Sequence, residues 1–188
     1  MKAIIAALAL LCAQPAAAQG VFANDYELIF EQNAAQIERR VAEDGATIEE
    51  IALEGGVTVQ RRLNADKPVY LSFDRSETGA VGCVMGILMQ FQKTAEACPA
   101  KVSEEQKKRL SSALVRVGVF YAQNRVPKIA EGQMITEIAR QGKIGGSCSQ
   151  LEDPDYREFF DGVLTDDLTQ TLDLLLAVPR LPVVNPCL

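Results

Sequence analysis

The stretch Gly79 to Phe91, GAVGCVMGILMQF, carries one polar side chain, Gln90, and places Gly82 and Gly86 four residues apart. A helix that crosses a hydrocarbon layer needs about 20 consecutive apolar residues. Gln90, Gln92 and Lys93 close this run well short of that, so it reads as a buried helix and not as a membrane span. A helix that is apolar nearly all round belongs at the centre of a bundle. Gly82 and Gly86 would clear one face for the close approach of another helix or a loop, with Val81, Val84, Met85, Leu88 and Met89 filling the space around them. The alternative use of such a cleared face is the wall of a site for a hydrophobic ligand.

The other apolar run is at the start. Met1-Lys2 supplies a positive end, Ala3 to Leu11 an apolar stretch, and Ala16-Ala17-Ala18 a small-residue cleavage site, the pattern of a secretory signal cut after Ala18. The expected mature chain is residues 19–188, the size of one domain, in the periplasm or the medium. The whole chain carries a formal charge of −6, which loss of Lys2 takes to −7. An acidic surface disfavours nonspecific binding to nucleic acid. The single basic run, Lys107-Lys108-Arg109, lies at helical spacing from Glu104 and Glu105 and reads as a solvated, ion-paired face.

Cysteine usage agrees with export. Once Cys12 leaves with the signal, Cys83, Cys98, Cys148 and Cys187 remain, an even number suited to two disulfides in an oxidising compartment. No C-x-x-C pair and no histidine is present to build a zinc site. If 79–97 is one continuous helix, Cys83 and Cys98 stand about 22 Å apart, far beyond the Cα separation of about 7 Å that a disulfide tolerates. That excludes Cys83–Cys98 and its complement. Successive antiparallel helices then bring Cys148 back to the Cys98 end, so the expected bonds are Cys98–Cys148 and Cys83–Cys187.

Helical signals dominate the rest. Asn24 and Glu27 form a capping pattern ahead of a stripe at Tyr26, Phe30, Ala34, Ile37 and Val41 that Asp44-Gly45 would end, and Thr47-Ile-Glu-Glu50 opens a second short helix that Gly55-Gly56 would close. Val57 to Leu63 and Val69 to Phe73 alternate as a β-hairpin does. Further helices are expected from Ser103 to Asn124, from Pro127 to Gln141, after Asp153-Pro154 and after Thr165, followed by an extended proline-rich tail. The fold class read from this pattern is mainly α. It is a single-domain, disulfide-stapled helical bundle around a central apolar helix (about 79–97), with one small β-hairpin (about 57–73).

The absence of histidine removes Ser–His and Cys–His nucleophile pairs and the commonest acid–base group, and neither S-x-x-K nor G-x-S-x-G occurs. Three segments remain as candidates for chemistry. Gly142 to Gln150 has the ingredients of an anion cradle without the G-K-[ST] ending of a phosphate loop. Glu152, Asp153, Asp155 and Asp161 are acids at the wrong spacing for a calcium loop, with Arg157 and Glu158 at its centre. The polar loop Asp74, Arg75, Ser76 and Glu77, just ahead of the buried helix, is the candidate partner-binding segment. No catalytic, metal or cofactor residue is nominated. A carboxylate-pair hydrolase stays open in principle, although 25 acids do not single out a pair.

Cys83 early in a helix, Ala97-Cys98-Pro99 at its end, Val102 to Gln106 opening the next, Asn124 to Pro127 closing it and the terminal Asn185-Pro-Cys187 resemble the small periplasmic helical immunity proteins of type VI secretion systems. The resemblance covers about half of the mature chain, with an insertion around Cys148 and an N-terminal half that has no counterpart. It implies blocking a cell-wall-degrading effector and brings no catalytic residues. The expected function is that of an exported, noncatalytic protein that binds a partner protein; an acidic-residue hydrolase and a carrier of a hydrophobic ligand are the alternatives.

Overall fold

The computed structural model describes residues 20–63 and 67–187; the expected signal segment and residues 64–66 lie outside them. Among the described residues the chain is mixed α/β, not mainly α: it has six α-helices, is 52% helical, and carries a four-stranded antiparallel sheet of 15%. The sheet accounts for most of the N-terminal half. A short helix α1 (Tyr26–Gln32) precedes β1 (Glu38–Val41), β2 (Thr47–Leu53), β3 (Val57–Leu63) and β4 (Val69–Asp74), paired in chain order. The expected hairpin is therefore β3–β4, extended by two strands that the helical reading of 24–53 missed.

Two signals misled that reading. Asp44-Gly45 was expected to stop a helix; it instead turns the β1–β2 hairpin, with Gly45 at φ 82° and the Ala42 and Ala46 backbones bonded at 2.8 Å. Gly55 and Gly56, both at positive φ, turn β2 into β3. Asp-Gly and Gly-Gly supply the left-handed backbone that helix ends and hairpin turns alike require. The first helix stops at Asn33, whose backbone and side-chain amides both donate to the Ile29 carbonyl. In Thr47–Glu50, cross-strand charge replaces the expected capping box. The register sets Arg39, Glu49 and Arg61 side by side, and both arginines bond the Glu49 carboxylate, at 2.8 and 2.5 Å.

The C-terminal half follows the expected order more closely: α2 (Val81–Ala97), α3 (Glu104–Asn124), α4 (Glu131–Gly142), α5 (Pro154–Val163) and α6 (Leu168–Leu175). Ser103 and Gln106 close a full capping box on α3, and Asp153 caps α5 with proline in its first turn. The fourth helix begins at Glu131, four residues later than expected, because residues after Arg125 leave α3 extended. Asp167, not Thr165, holds the cap position of α6.

Two apolar cores result. The helical one gathers Met85, Leu88 and Phe91 of α2 with Leu110, Leu114 and Val117 of α3, Met134 and Ile138 of α4, and Phe160. The smaller packs Ile29 and Phe30 of α1 on Ile51, Val57 and Val59 of the sheet, closed by Leu181 and Val183 of the tail. The tail joins them. Cys187 is disulfide-bonded to Cys83 in the first turn of α2, with Cα atoms 5.1 Å apart, and Cys148 to Cys98 at its end, 5.2 Å apart. Between them the Val183 carbonyl accepts from the Gly82 amide at 2.8 Å, and that of Asn185 from Asp74 at 2.7 Å.

Candidate functional site

The polar loop after β4 divides by direction. Strand alternation turns Asp74 inward, where its carboxylate meets Arg180 of the tail at 2.7 Å with both side chains almost wholly buried. Arg180 spends its remaining donors on the carbonyls of Leu175, Val178 and Gly79 and on the Thr78 hydroxyl. Asp74 also accepts from the Ser76 amide at 2.9 Å, so the inward part of the loop is a closed polar knot. Arg75 and Glu77 are exposed, and the Arg75 guanidinium lies 6.0 Å from the Phe73 ring centroid.

Arg75 continues a larger surface. Tyr70 and Ser72 of β4 face α1, with Tyr26 stacked on Tyr70 and bonded to Ser72 at 2.8 Å. By alternation Val69, Leu71 and Phe73 point to the opposite face. The register aligns Phe73 with Thr58 and Ala52, Leu71 with Gln60 and Glu50, and Val69 with Arg62 and Ile48. Of these outward residues Ile48 and Thr58 are buried and Phe73 is half-buried, and none joins either core cluster. Val69 is 49% and Leu71 46% exposed, a level at which an aliphatic pair flanked by an aromatic and an arginine resembles the composition of interface cores.

The second surface lies along α2. Gly82 does what the sequence suggested: a Cβ there would sit 2.4 Å from the Val183 carbonyl oxygen. Gly86 does not. Nothing lies within 4 Å of its Cβ position, and it opens on a groove of about 460 Å³ lined by Phe22, Met85, Met89, Gln90, Lys93 and Tyr121 among others. Burial pushes the Tyr121 phenol well above its ordinary pKa, so the hydroxyl is a neutral donor. Neither Tyr121 as a groove wall nor Phe22 carried a sequence signal, since both look like ordinary apolar stripe residues. The groove comes from the tail and the segment before α1 meeting α2 across a long stretch of chain.

The other candidate segments are occupied by structure. Gly146 abuts the Lys93 carbonyl so closely that a Cβ would lie 1.9 Å away, and Gln150 of the same loop bonds Thr94 at 2.7 Å. Asp153 caps α5, Asp161 accepts from Gln106 and Arg157 at 2.7 Å each, and Glu152 pairs with Lys101 at 3.1 Å. In the basic run, Arg109 pairs with Glu105 as the spacing indicates, while Glu104 takes Lys107 instead of Lys108.

Among the described residues two acids are buried, and each is paired with arginine. Asp74 faces Arg180. Burial pushes the Glu49 carboxyl up, but hydrogen bonds and charge from Arg61 and Arg39 outweigh it and hold the group below the ordinary carboxylate range. Among the described residues no cluster of acids, cysteines or histidines is placed to hold a metal ion, and no helix is long and apolar enough to cross a membrane. Comparison with known protein families, with characterised proteins and with solved structures finds no match to this chain.

Proposed function

We propose that this chain is an exported, noncatalytic binding protein that docks a partner protein on the outward face of its sheet. The observation that carries the reading is the exposed pair Val69 and Leu71, beside the half-buried Phe73 and continued by Arg75 of the loop. Apolar side chains half in water, beside an arginine stacked on an aromatic ring, gain most when a partner removes them from solvent. Export to the periplasm or the medium, with cleavage after Ala18, is supported by the signal pattern and by the two disulfides.

The noncatalytic part is supported by chemistry. A carboxylate hydrolase needs one acid kept protonated and another ionised across a cleft. The buried acids here, Glu49 and Asp74, are each ion-paired with arginine, and Arg61 and Arg39 hold Glu49 in its charged form. If the captured partner is a cell-wall-degrading enzyme, the role is inhibition of the kind that the immunity-protein resemblance implies. The test uses the mature protein with Leu71→Asp and Arg75→Glu, two exposed substitutions that leave both cores intact. The partner retained by the parent protein should be lost with unchanged thermal unfolding; retention by both variants would remove this face as the docking site.

A further inference from the structure

We infer that the groove along α2 is a separate small-ligand site, and that it takes an unbranched aliphatic chain with a carboxylate at one end and a hydrogen-bond acceptor at the other. Its polar groups define the ends. Lys93 is the one charged residue in the lining and has no ion-pair partner among the described residues. In a chain with a net charge of −6, a trough without a single acid and with one uncompensated cation is complementary to an anion. At the far end stands Tyr121. It is 4% exposed, its hydroxyl sits 2.8 Å from the Cβ position of Gly82, and it has no hydrogen-bond partner among the described residues. Its oxygen is not among the fully enclosed polar atoms, so the phenol presents its donor to the groove that it lines, the space into which an acceptor can be brought.

Dimensions decide the middle of the ligand. Gly82, Met85, Gly86, Met89 and Lys93 fall on one side of α2, and the eleven steps from Gly82 to Lys93 advance about 16 Å along the helix. Spread over that length, a volume of about 460 Å³ leaves a narrow trough open along one side. A partner helix, about 10 Å across with its side chains, does not enter it. An extended peptide would carry amides and carbonyls into a trough with few groups to bond them. A polymethylene chain, whose carbons touch their neighbours at about 3.5–4.0 Å, fits the width, and roughly a dozen carbons span the length. Met85 and Met89 suit such a chain because unbranched thioether side chains adapt to it. Polar groups at both ends keep the ligand free in water and out of a bilayer.

This inference concerns a surface apart from the sheet face, so either can fail alone. The probes are ω-hydroxydodecanoate and dodecanoate, titrated calorimetrically into the full mature protein. The hydroxy acid should bind about tenfold tighter, the order of one hydrogen bond to Tyr121. Tyr121→Phe should erase that difference while retaining dodecanoate binding. Lys93→Gln should weaken both probes about tenfold, and Gly86→Leu, whose side chain would enter the groove from an exposed position, should abolish both with thermal unfolding unchanged. Equal binding of the two probes by the parent protein, or binding that survives Gly86→Leu, overturns the assignment; so does absence of binding by either probe.

Discussion

The two glycines of the apolar helix should respond in opposite directions to the same methyl group. In Gly82→Ala the new Cβ meets the Val183 carbonyl at 2.4 Å to oxygen and 2.6 Å to carbon. Both atoms are backbone, so no side chain can rotate away. The tail is held there by the 2.8 Å bond from the Gly82 amide to that carbonyl and by the Cys83–Cys187 bridge, so relief requires moving the tail by about 1 Å. Overpacking of this kind costs about 1–3 kcal/mol, and the strained hydrogen bond adds about 1 kcal/mol. The better helix propensity of alanine returns about 1 kcal/mol. The net expectation is a loss of about 1–3 kcal/mol, which at about 2–4 °C per kcal/mol for a chain of this size lowers Tm by roughly 2–12 °C. Gly86→Ala meets nothing within 4 Å and keeps the propensity gain, so Tm should rise by roughly 1–4 °C. Thermal unfolding of the two oxidised variants followed by circular dichroism measures both. Equal shifts for the two, or a neutral Gly82→Ala, would refute the close approach of the tail to α2.

Arg180→Met should cost about 3–5 kcal/mol in urea unfolding, because it leaves Asp74 buried without its cation; adding Asp74→Leu should recover most of the loss. Glu49 titrates below its ordinary value of 4.5 in the folded chain, so its contribution is present above that pH and is lost as pH falls through the lowered folded value. Glu49→Gln should flatten this part of the acid limb of a stability–pH curve. Burial and the hydrogen bond to Glu27 raise Tyr70 from 10 to about 12; the stability this contributes is full below pH 10 and falls as pH rises toward about 12, and Tyr70→Phe should remove that alkaline decline. The Cys83–Cys187 bridge spans 104 residues and Cys98–Cys148 spans 50, so each Cys→Ser pair should lose about 4–5 kcal/mol in the chain-entropy view, and nonreducing peptide maps should contain these two linked peptides.

Legibility tracked how local the deciding physics was. The second and third helices could be read because long apolar periods and the Ser103–Gln106 box act within one segment. The disulfide pairing could be read because one rigid helix eliminates one of the three alternatives and the antiparallel order of the following helices chooses between the other two. The sheet was missed where Asp44-Gly45 and Gly55-Gly56 serve two kinds of element equally, and where Glu49 owes its place to arginines ten and twelve residues away. Val41, assigned to a buried stripe, is 71% exposed at the end of a strand. Arg75 was visible as part of a polar loop, but its continuity with Val69, Leu71 and Phe73 needs the strand alternation. The groove was invisible because Phe22, Tyr121 and Val183 come together from three distant parts of the chain.

Docking of a partner on the outward sheet face is tested most directly by photo-cross-linking in periplasmic extract from a probe residue at position 71, with a second probe at Val115 on the far helical side as the reference. The account predicts that one protein species cross-links at position 71, is absent at Val115, and is displaced by excess parent protein but not by the Arg75→Glu variant. A partner that cross-links at Val115 and not at position 71, or no species above background at either, would contradict it.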